Sequence, residues 1–447
     1  MTEELLHYVW KHKILPLREL MTTDGQKVEV VDPGLHNLGA GPDFFNSKVK
    51  IDGQLWVGNV EIHVRASDWY RHKHDADKAY ANVILHVVAD SDSRVTYPGE
   101  TERKIPQMVL AVPDYVIQNY DHLSRSESFP PCFNEVGTFS ALTIHSWMSA
   151  LQVERLEQKS QAVVRRWEML DRNWEETLFV TVARNFGFGK NGDTFERWAR
   201  SFNRSIIGKH RDSLLQIEAV FFGQAGLLKD ANDKVGDYYL RLRNEYKFLS
   251  HKFGLSHIEP SLWKRKVRPE NFPEVRLAQL AMLYYRGCIS LSKLLEAESV
   301  DSMYGLFRQE KELPGVSEYW HTHYSFSDEP SPESEKRMSD SSLDLIIMNS
   351  VVPFIFAYGR YKGDDSLCDK AFEIMEGIRP ENNSYIRKWE EAGVVCSTAA
   401  DSQALMQLSK KYCEEHNCLR CRFGYEYIRR NPNFLSEEGD LAKNVNS

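Results

Sequence analysis

The sequence lacks the features expected of a membrane or secreted protein. No apolar run reaches the roughly 20 residues that a transmembrane helix needs, because the longest, at 345–357, is interrupted by Asn349, Ser350 and Pro353. We predict that this run is a buried helix or strand. Residues 1–6 carry two glutamates where a secretory signal would be positively charged. We therefore expect no membrane association and a cytoplasmic location.

Positive charge and cysteine are also scarce. Acidic residues outnumber basic ones, 64 to 56, for a net charge of -8 at pH 7. The bulk field would repel a nucleic acid, so any contact with phosphates must come from local basic patches. This argues against a nonspecific nucleic-acid coat protein. In a cytoplasmic chain, the seven cysteines are expected to be reduced thiols or metal ligands rather than disulfides.

The hydrophobic patterns change in character near Pro131 and Cys132. Before this point, short strand-like runs alternate with turn residues; after it, apolar residues recur at helical spacing. The sequence therefore predicts an α+β fold, with a mixed-sheet N-terminal domain followed by a large all-helical region. The predicted strands are 27–31, 47–51, 55–65, 83–89 and 105–112, and the predicted helices include 3–11, 140–170, 174–186, 213–228, 234–253 and 273–295.

Domain limits follow from the same change of pattern. We predict an α/β domain at 1–130 and a helical domain at 131–324. The polar stretch 325–342 is predicted to be a linker or loop. Residues 343–434 would form a helical C-terminal region that carries a cysteine cluster, and 435–447 a disordered tail. The sequence gives no indication of the oligomeric state.

A polar strand face marks the first candidate site. In the strand 59–65, polar residues that include Glu61 and His63 alternate with valine and isoleucine, so they share one face. Seventeen residues separate Asp43 from Glu61, and a hairpin between them would bring both carboxylates to one divalent cation. The alternative is an antiparallel strand whose polar side faces water, and both interpretations stay open.

These residues resemble the signature of the PD-(D/E)xK nuclease superfamily. Pro42-Asp43 and Glu61-Ile62-His63 fit it, with histidine in place of the usual lysine. A helix, strands, a short helical stretch at 76–80 and a final strand also match the α-β-β-β-α-β core that the resemblance implies. The whole chain resembles an uncharacterised bacterial family, the domain of unknown function 2851, in 41–44, 58–63, 82–88, 222–226 and Cys413, Cys418 and Cys421.

The superfamily resemblance implies a metal-dependent nuclease that hydrolyses phosphodiester bonds of DNA or RNA. Asp43, Glu61 and the backbone carbonyl of Ile62 would bind Mg²⁺ or Mn²⁺. His63 would orient or deprotonate the attacking water. A second hypothesis is a nuclease fold that has lost catalysis and binds nucleic acid or a protein partner. A third is a metal-dependent hydrolase of small molecules.

Additional histidines in the N-terminal part favour this third hypothesis: His36, His72, His74 and His86. Together with nearby aspartates, they would form a zinc or manganese site. However, His72 and His74 fall in a polar turn, where solvated side chains are the default. His86 falls in an apolar strand and is predicted to be a hydrogen-bonded core residue.

The second candidate site is a cluster of cysteines near the C-terminus. Cys413, Cys418 and Cys421 lie within nine residues, and three such thiolates would bind zinc or an iron–sulfur cluster if a fourth ligand joined them. Some nucleases of the superfamily use one distant and three clustered cysteines, which would favour Cys132. The fourth-ligand candidates are Cys132, Cys396 and His416. The alternative is a set of ordinary reduced thiols.

Overall fold

The computed structural model describes residues 1–16, 19–229, 236–308, 314–326 and 329–430. Two compact units are present. Unit 1 comprises Met1–Trp147, Lys388–Val394 and Leu408–Ser447, and unit 2 comprises Met148–Arg387 and Val395–Gln407. The predicted domain limits cut the chain differently and remain predictions. The predicted tail at 435–447 lies outside the described residues.

Unit 1 brings together segments that are distant in sequence. The side-chain amide of Asn119 donates to the backbone carbonyls of Tyr427, Ile428 and Arg430, at 3.2, 3.3 and 2.9 Å. The end of the described chain thereby packs on the N-terminal unit. Local sequence patterns do not indicate contacts between residues so far apart in the chain. For this reason they place the segment that ends at 430 in a separate C-terminal region.

The core of unit 1 is a seven-stranded mixed sheet. Its strands are β1 (Leu20–Met21), β2 (Lys27–Asp32), β3 (Leu35–His36), β4 (Phe44–Ile51), β5 (Gln54–Arg65), β6 (Val83–Asp90) and β7 (Gln107–Val109). The order is β1-β2-β4-β5-β6-β7, with β3 paired to β4. β2, β4 and β5 run antiparallel, whereas β6 is parallel to β5 and β7 to β6. The predicted strands are confirmed, although the last is shorter than expected.

Local sequence explains the strands that carry the site. Asp52 and Gly53 link β4 to β5 with φ values of 48° and 81°, the left-handed pair of a tight hairpin turn. In β6, the six residues from Val83 onward are all buried, as expected for an apolar strand paired on both edges and covered on both faces.

Helices form the rest of the molecule. Those of unit 1 include α1 (Glu3–Lys11), α2 (Asp68–Arg71) and α3 (Asp114–Ser124), with short 3-10 turns at His74–Ala76 and Lys78–Tyr80. The others are α4 (Ala141–Met169), α5 (Trp174–Phe186), α6 (Gly192–Ala199), α7 (Ser205–Lys209), α8 (Leu214–Gln224), α9 (Asp237–Phe253), α10 (Pro273–Tyr285), α11 (Leu291–Glu296), α12 (Val300–Phe307), α13 (Glu318–Thr322), α14 (Asp340–Ile346), α15 (Val352–Lys362), α16 (Asp365–Gly377), α17 (Ser384–Glu391), α18 (Ala399–Leu408) and α19 (Arg422–Ile428).

Helix α1 positions one side of the candidate site. The Thr2 side chain caps it by accepting from the Leu5 N–H. Leu6, Val9 and Trp10 are fully buried, and the helix packs against β5. This packing turns His7, on the same helix, toward the beginning of β4.

The described residues of unit 2 are helical and contain no strand, which confirms the α+β class. Its core includes the buried rings of Phe179, Trp198, Phe221 and Trp320. The predicted helix at 273–295 is two helices, α10 and α11, because Gly287 adopts a φ of 61° between them.

The apolar run at 345–357 lies within one helical stretch, Asp340–Lys362, in which a π-helical turn joins α14 to α15. By length and composition this stretch could cross a bilayer, but 78% of its most apolar window is buried inside the protein. The prediction of a buried helix is confirmed. Such burial is consistent with the core helix of a soluble protein, and the cytoplasmic location remains a prediction.

Candidate metal centre

Two carboxylates meet where β4 begins beside β5. The Asp43 N–H donates to Glu61 Oε2 at 3.1 Å, and the Ile62 N–H donates to Asp43 Oδ2 at 2.8 Å. The antiparallel register pairs Phe44 with Val60, which sets Asp43 level with Glu61. The two side chains are therefore held next to each other by the backbone rather than by flexible contacts.

Three histidines surround the Glu61 carboxylate. His63 Nε2 and His74 Nε2 lie 3.4 and 3.2 Å from Glu61 Oε1, and His72 Nδ1 lies 3.3 Å from His63 Nε2. Each of the three histidines offers a nitrogen within 4.8 Å of the other two. Ligand nitrogens bound to one zinc-sized cation at about 2.1 Å must come this close together. The geometry therefore suits a single divalent ion.

The turn after α2 delivers His72 and His74. Lys73, between them, adopts a φ of 63°, which reverses the chain within one residue. His74 stacks on the Tyr80 ring at 3.8 Å and meets the edge of Trp69 at 5.4 Å. Its side chain is only 12% exposed, so the expectation of a solvated residue is wrong for His74. The aromatic residues Trp69 and Tyr80, on either side of His74 in the sequence, were the feature from which its burial could have been predicted.

His86 orients His63 from the next strand. The parallel register places His86 opposite Glu61, and its Nε2 lies 3.0 Å from His63 Nδ1. This confirms His86 as a hydrogen-bonded core residue and leaves His63 Nε2 directed at the carboxylate. Burial, followed by the charges of neighbouring histidines, lowers the pKa of His63 to about 2; burial lowers that of His86 to about 4. Both rings are neutral at pH 7, as metal ligands and their supporting residues must be.

His7 completes the site from helix α1. Its Nε2 lies 3.2 Å from Asp43 Oδ2. Burial alone would lower the pKa of His7, but the bond to Asp43 and the nearby carboxylates outweigh it and raise the pKa. Burial also raises the pKa of Glu61 to about 7, against the opposing hydrogen bond from His74. Glu61 is buried and the adjoining Asp43 is half-buried, so a bound cation would stabilise their charged forms.

A cleft of about 350 Å³ begins beside His7. It is bounded by α1, the 36–39 loop and the segment 416–420, and its lining includes Lys11 and Arg420. Because His7 lines the cleft and also bonds Asp43, the cleft adjoins the carboxylate pair. Glu4 lines the cleft as well, so two cationic side chains outnumber one carboxylate, a balance that favours an anionic ligand.

The structure thus places Asp43, Glu61 and His63 together. Glu61 and His63 are 4% and 1% exposed, so the interpretation of β5 as a strand with a solvated polar face is wrong. His7 was not identified from the sequence, because nothing in the pattern of α1 distinguishes it. That the Ile62 carbonyl binds the metal remains a prediction. The N–H of Ile62 donates a hydrogen bond to Asp43.

The cysteines form a second, separate cluster in unit 1. Cys413, Cys418 and Cys421 line a small cavity together with Cys132, which is one of the three candidate fourth ligands. Cys396 belongs to unit 2, and His416 lines the larger cleft.

Comparison with known proteins identifies one family. The family model described as "Protein of unknown function (DUF2851)" matches residues 3–384. The matched stretch contains the His and carboxylate site and Cys132, and ends before the three clustered cysteines. Comparisons with curated proteins and with solved structures found no match.

Proposed function

Because the chain belongs to the DUF2851 family of proteins of unknown function, we propose a function from its own site: a divalent-metal-dependent nuclease that hydrolyses phosphodiester bonds. The observation that carries the proposal is the position of the Asp43 and Glu61 carboxylates beside His63, His72 and His74: the Asp43 N–H donates to Glu61, and the Ile62 N–H donates to Asp43. Two carboxylates and three imidazoles that lie this close together are a ligand set for a divalent cation.

The order and direction of the strands support the proposal. β2, β4 and β5 form an antiparallel meander, and after α2 and two short 3-10 turns β6 returns parallel to β5. The PD-(D/E)xK resemblance implies an α-β-β-β-α-β core of this kind, in which Asp43 and Glu61 would be the metal-binding carboxylates.

Each residue has a distinct task in the proposed reaction. Asp43 and Glu61 would hold the cation, and its charge would lower the pKa of a water and offset the charge on the phosphate oxygens. His63, held by His86, presents a neutral nitrogen to the same point and would orient the attacking water by a hydrogen bond. Lys11 and Arg420 in the adjoining cleft would bind the phosphate backbone.

The histidines bear on the choice of metal. Mg²⁺ prefers oxygen ligands, whereas imidazole nitrogens suit the transition metals and zinc. We therefore propose Mn²⁺ as the working cation, with Mg²⁺ supporting weaker activity. The same histidines favour a second candidate function, hydrolysis of small phosphate esters, because the cleft of about 350 Å³ is within the usual range for small-molecule sites.

A cleavage assay with two charge-removing variants tests the proposal. Wild type should cleave single- or double-stranded DNA or RNA in the presence of Mn²⁺ and should lose this activity in EDTA. Asp43→Asn and Glu61→Gln should lower cleavage at least tenfold with unchanged circular dichroism, because each keeps its shape but removes a ligand charge. The control is Glu102→Gln, at an exposed position of the same unit.

The substrate panel separates the candidate functions. Turnover of small phosphodiesters with no turnover of polymers would favour the small-molecule hydrolase. Salt-sensitive retardation of a nucleic acid with no turnover of any substrate would favour a fold that has lost catalysis. Cleavage by both charge-removing variants at the wild-type rate would refute the metal assignment.

A further inference from the structure

Four of the seven cysteines line one small cavity in unit 1. Cys132 follows α3, whereas the other three belong to the segment that leads into α19. All four are free and buried, with exposures of 7 to 8%. They line a shared cavity of about 10 Å³, room for about one water-sized sphere. Convergence of thiols from segments about 280 residues apart is what ligation of a metal requires.

The backbone around Cys421 is arranged to support a thiolate. Cys421 precedes the first turn of α19, and the N–H groups of Gly424 and Phe423 hydrogen-bond to its sulfur. A Cβ at Gly424 would lie 2.0 Å from the Cys418 carbonyl oxygen. Glycine at this position therefore allows Cys418 and Cys421 to approach each other.

The spacing of the sulfurs bears on which metal they hold. Tetrahedral zinc with bonds of about 2.3 Å sets its sulfur ligands about 3.8 Å apart. Among the described residues, the set of metal-ligating atoms that all lie within 4.8 Å of one another is the histidine trio, not the cysteines. Zinc would therefore draw the four sulfurs together, whereas an iron–sulfur cluster would occupy a wider arrangement.

The same segment forms one wall of the larger cleft. His416 and Arg420, which lie between Cys413 and Cys421, line that cleft, and the helical turn Cys418–Arg420 packs against α1. His416 adopts a φ of 51°, in the left-handed region where histidine occurs more often than most residues. The shape of this wall therefore follows the backbone conformation of the segment that carries the cysteines.

We propose that Cys132, Cys413, Cys418 and Cys421 hold a thiophilic metal centre, zinc or an iron–sulfur cluster, that fixes this wall of the cleft. Metal binding displaces the thiol protons and adds its free energy to folding. The existence of this metal centre does not depend on the proposed nuclease function. The use of the wall to bind substrate does rest on that function.

Metal analysis of the full-length chain, purified without air, tests the proposal. We expect either zinc with no visible absorption, or iron and sulfide with the absorption of an iron–sulfur cluster. Cys132→Ser and Cys418→Ser should each lower this metal content at least tenfold. Cys288→Ser and Cys368→Ser, in unit 2, are the controls and should retain it. Any zinc bound at the histidine site would persist in all four variants. The metal held by the cysteines is therefore measured as the difference in metal content between wild type and each variant.

A second measurement covers variants that fail to fold. Titrating wild type with a mercurial should release the metal as four thiols react, and Co²⁺ added to metal-free protein should give thiolate charge-transfer absorption. Absence of zinc and iron after anaerobic purification, together with no cobalt–thiolate band, would overturn the proposal, as would a disulfide between any two of the four cysteines. The metal content of the protein tests the proposed cysteine centre. Cleavage assays on the same preparations test the proposed nuclease function separately.

Discussion

The buried Glu218 in α8 should make the stability of unit 2 depend on pH. Its side chain is 1% exposed, and Oε2 accepts a hydrogen bond from the Tyr238 hydroxyl at 2.8 Å. Trp320 in turn donates to that hydroxyl at 3.1 Å. Oε1 has no hydrogen-bond partner, and no cationic side chain is among the groups that shift the pKa of Glu218. A charge at this position would be poorly compensated.

Burial raises the pKa of Glu218 from 4.5 to about 7, although hydrogen bonds from Ser317 and Tyr238 oppose this. Such a shift corresponds to roughly 3 kcal/mol of unfolding free energy. Below pH 4.5 the folded and unfolded states are both protonated, so the group contributes no penalty. As the pH rises from 4.5 to about 7, only the unfolded state releases its proton and stability falls. Above about pH 7 the penalty is complete.

Replacing this carboxyl by an amide removes the titration. Glu218→Gln should therefore match wild type at pH 4.5 and exceed its unfolding free energy at pH 8 by as much as about 3 kcal/mol. Urea denaturation followed by circular dichroism across this pH range measures the difference. The control is Glu373→Gln, at an exposed position of α16, which should show no such trend. Equal or lower stability of Glu218→Gln at pH 8 would refute the reasoning.

Two further predictions concern a metal-site residue and a packing contact. His63→Leu removes the nitrogen directed at Glu61 and should lower metal-dependent cleavage on the order of tenfold to a hundredfold. The Mn²⁺ assay measures this against a control variant at an exposed position, His251→Leu. Cleavage by His63→Leu at the rate of the control would exclude a role of His63 in the reaction. Gly223→Ala places a Cβ 2.1 Å from a tyrosine ring of α9 and should cost about 2 kcal/mol or more in urea denaturation. Gly208→Ala, which meets nothing within 4 Å, should not destabilise, and equal effects of the two changes would contradict the packing argument.

Local patterns in the sequence determined the elements and the exposed or buried character of several of their faces. The limits predicted for α5 are those of the structure, Trp174–Phe186, because apolar spacing and capping residues act within a few residues of each other. The hairpin at Asp52 and Gly53 follows equally from turn chemistry. The spacing of Asp43 and Glu61 across that hairpin also indicated that the two carboxylates would meet, since β4 and β5 are neighbours in the chain.

Tertiary structure decided which distant groups share a site. His7 reaches Asp43 only because α1 packs on β5, and His86 reaches His63 only because β6 runs parallel to β5 in a particular register. Cys132 joins the clustered cysteines in the same way. Hydrophobic periodicity shows that a face is buried but not which other face covers it. Which faces pair depends on how well their side chains fit together over the whole unit. The residues that meet in this way can be far apart in the sequence, so local patterns do not predict them.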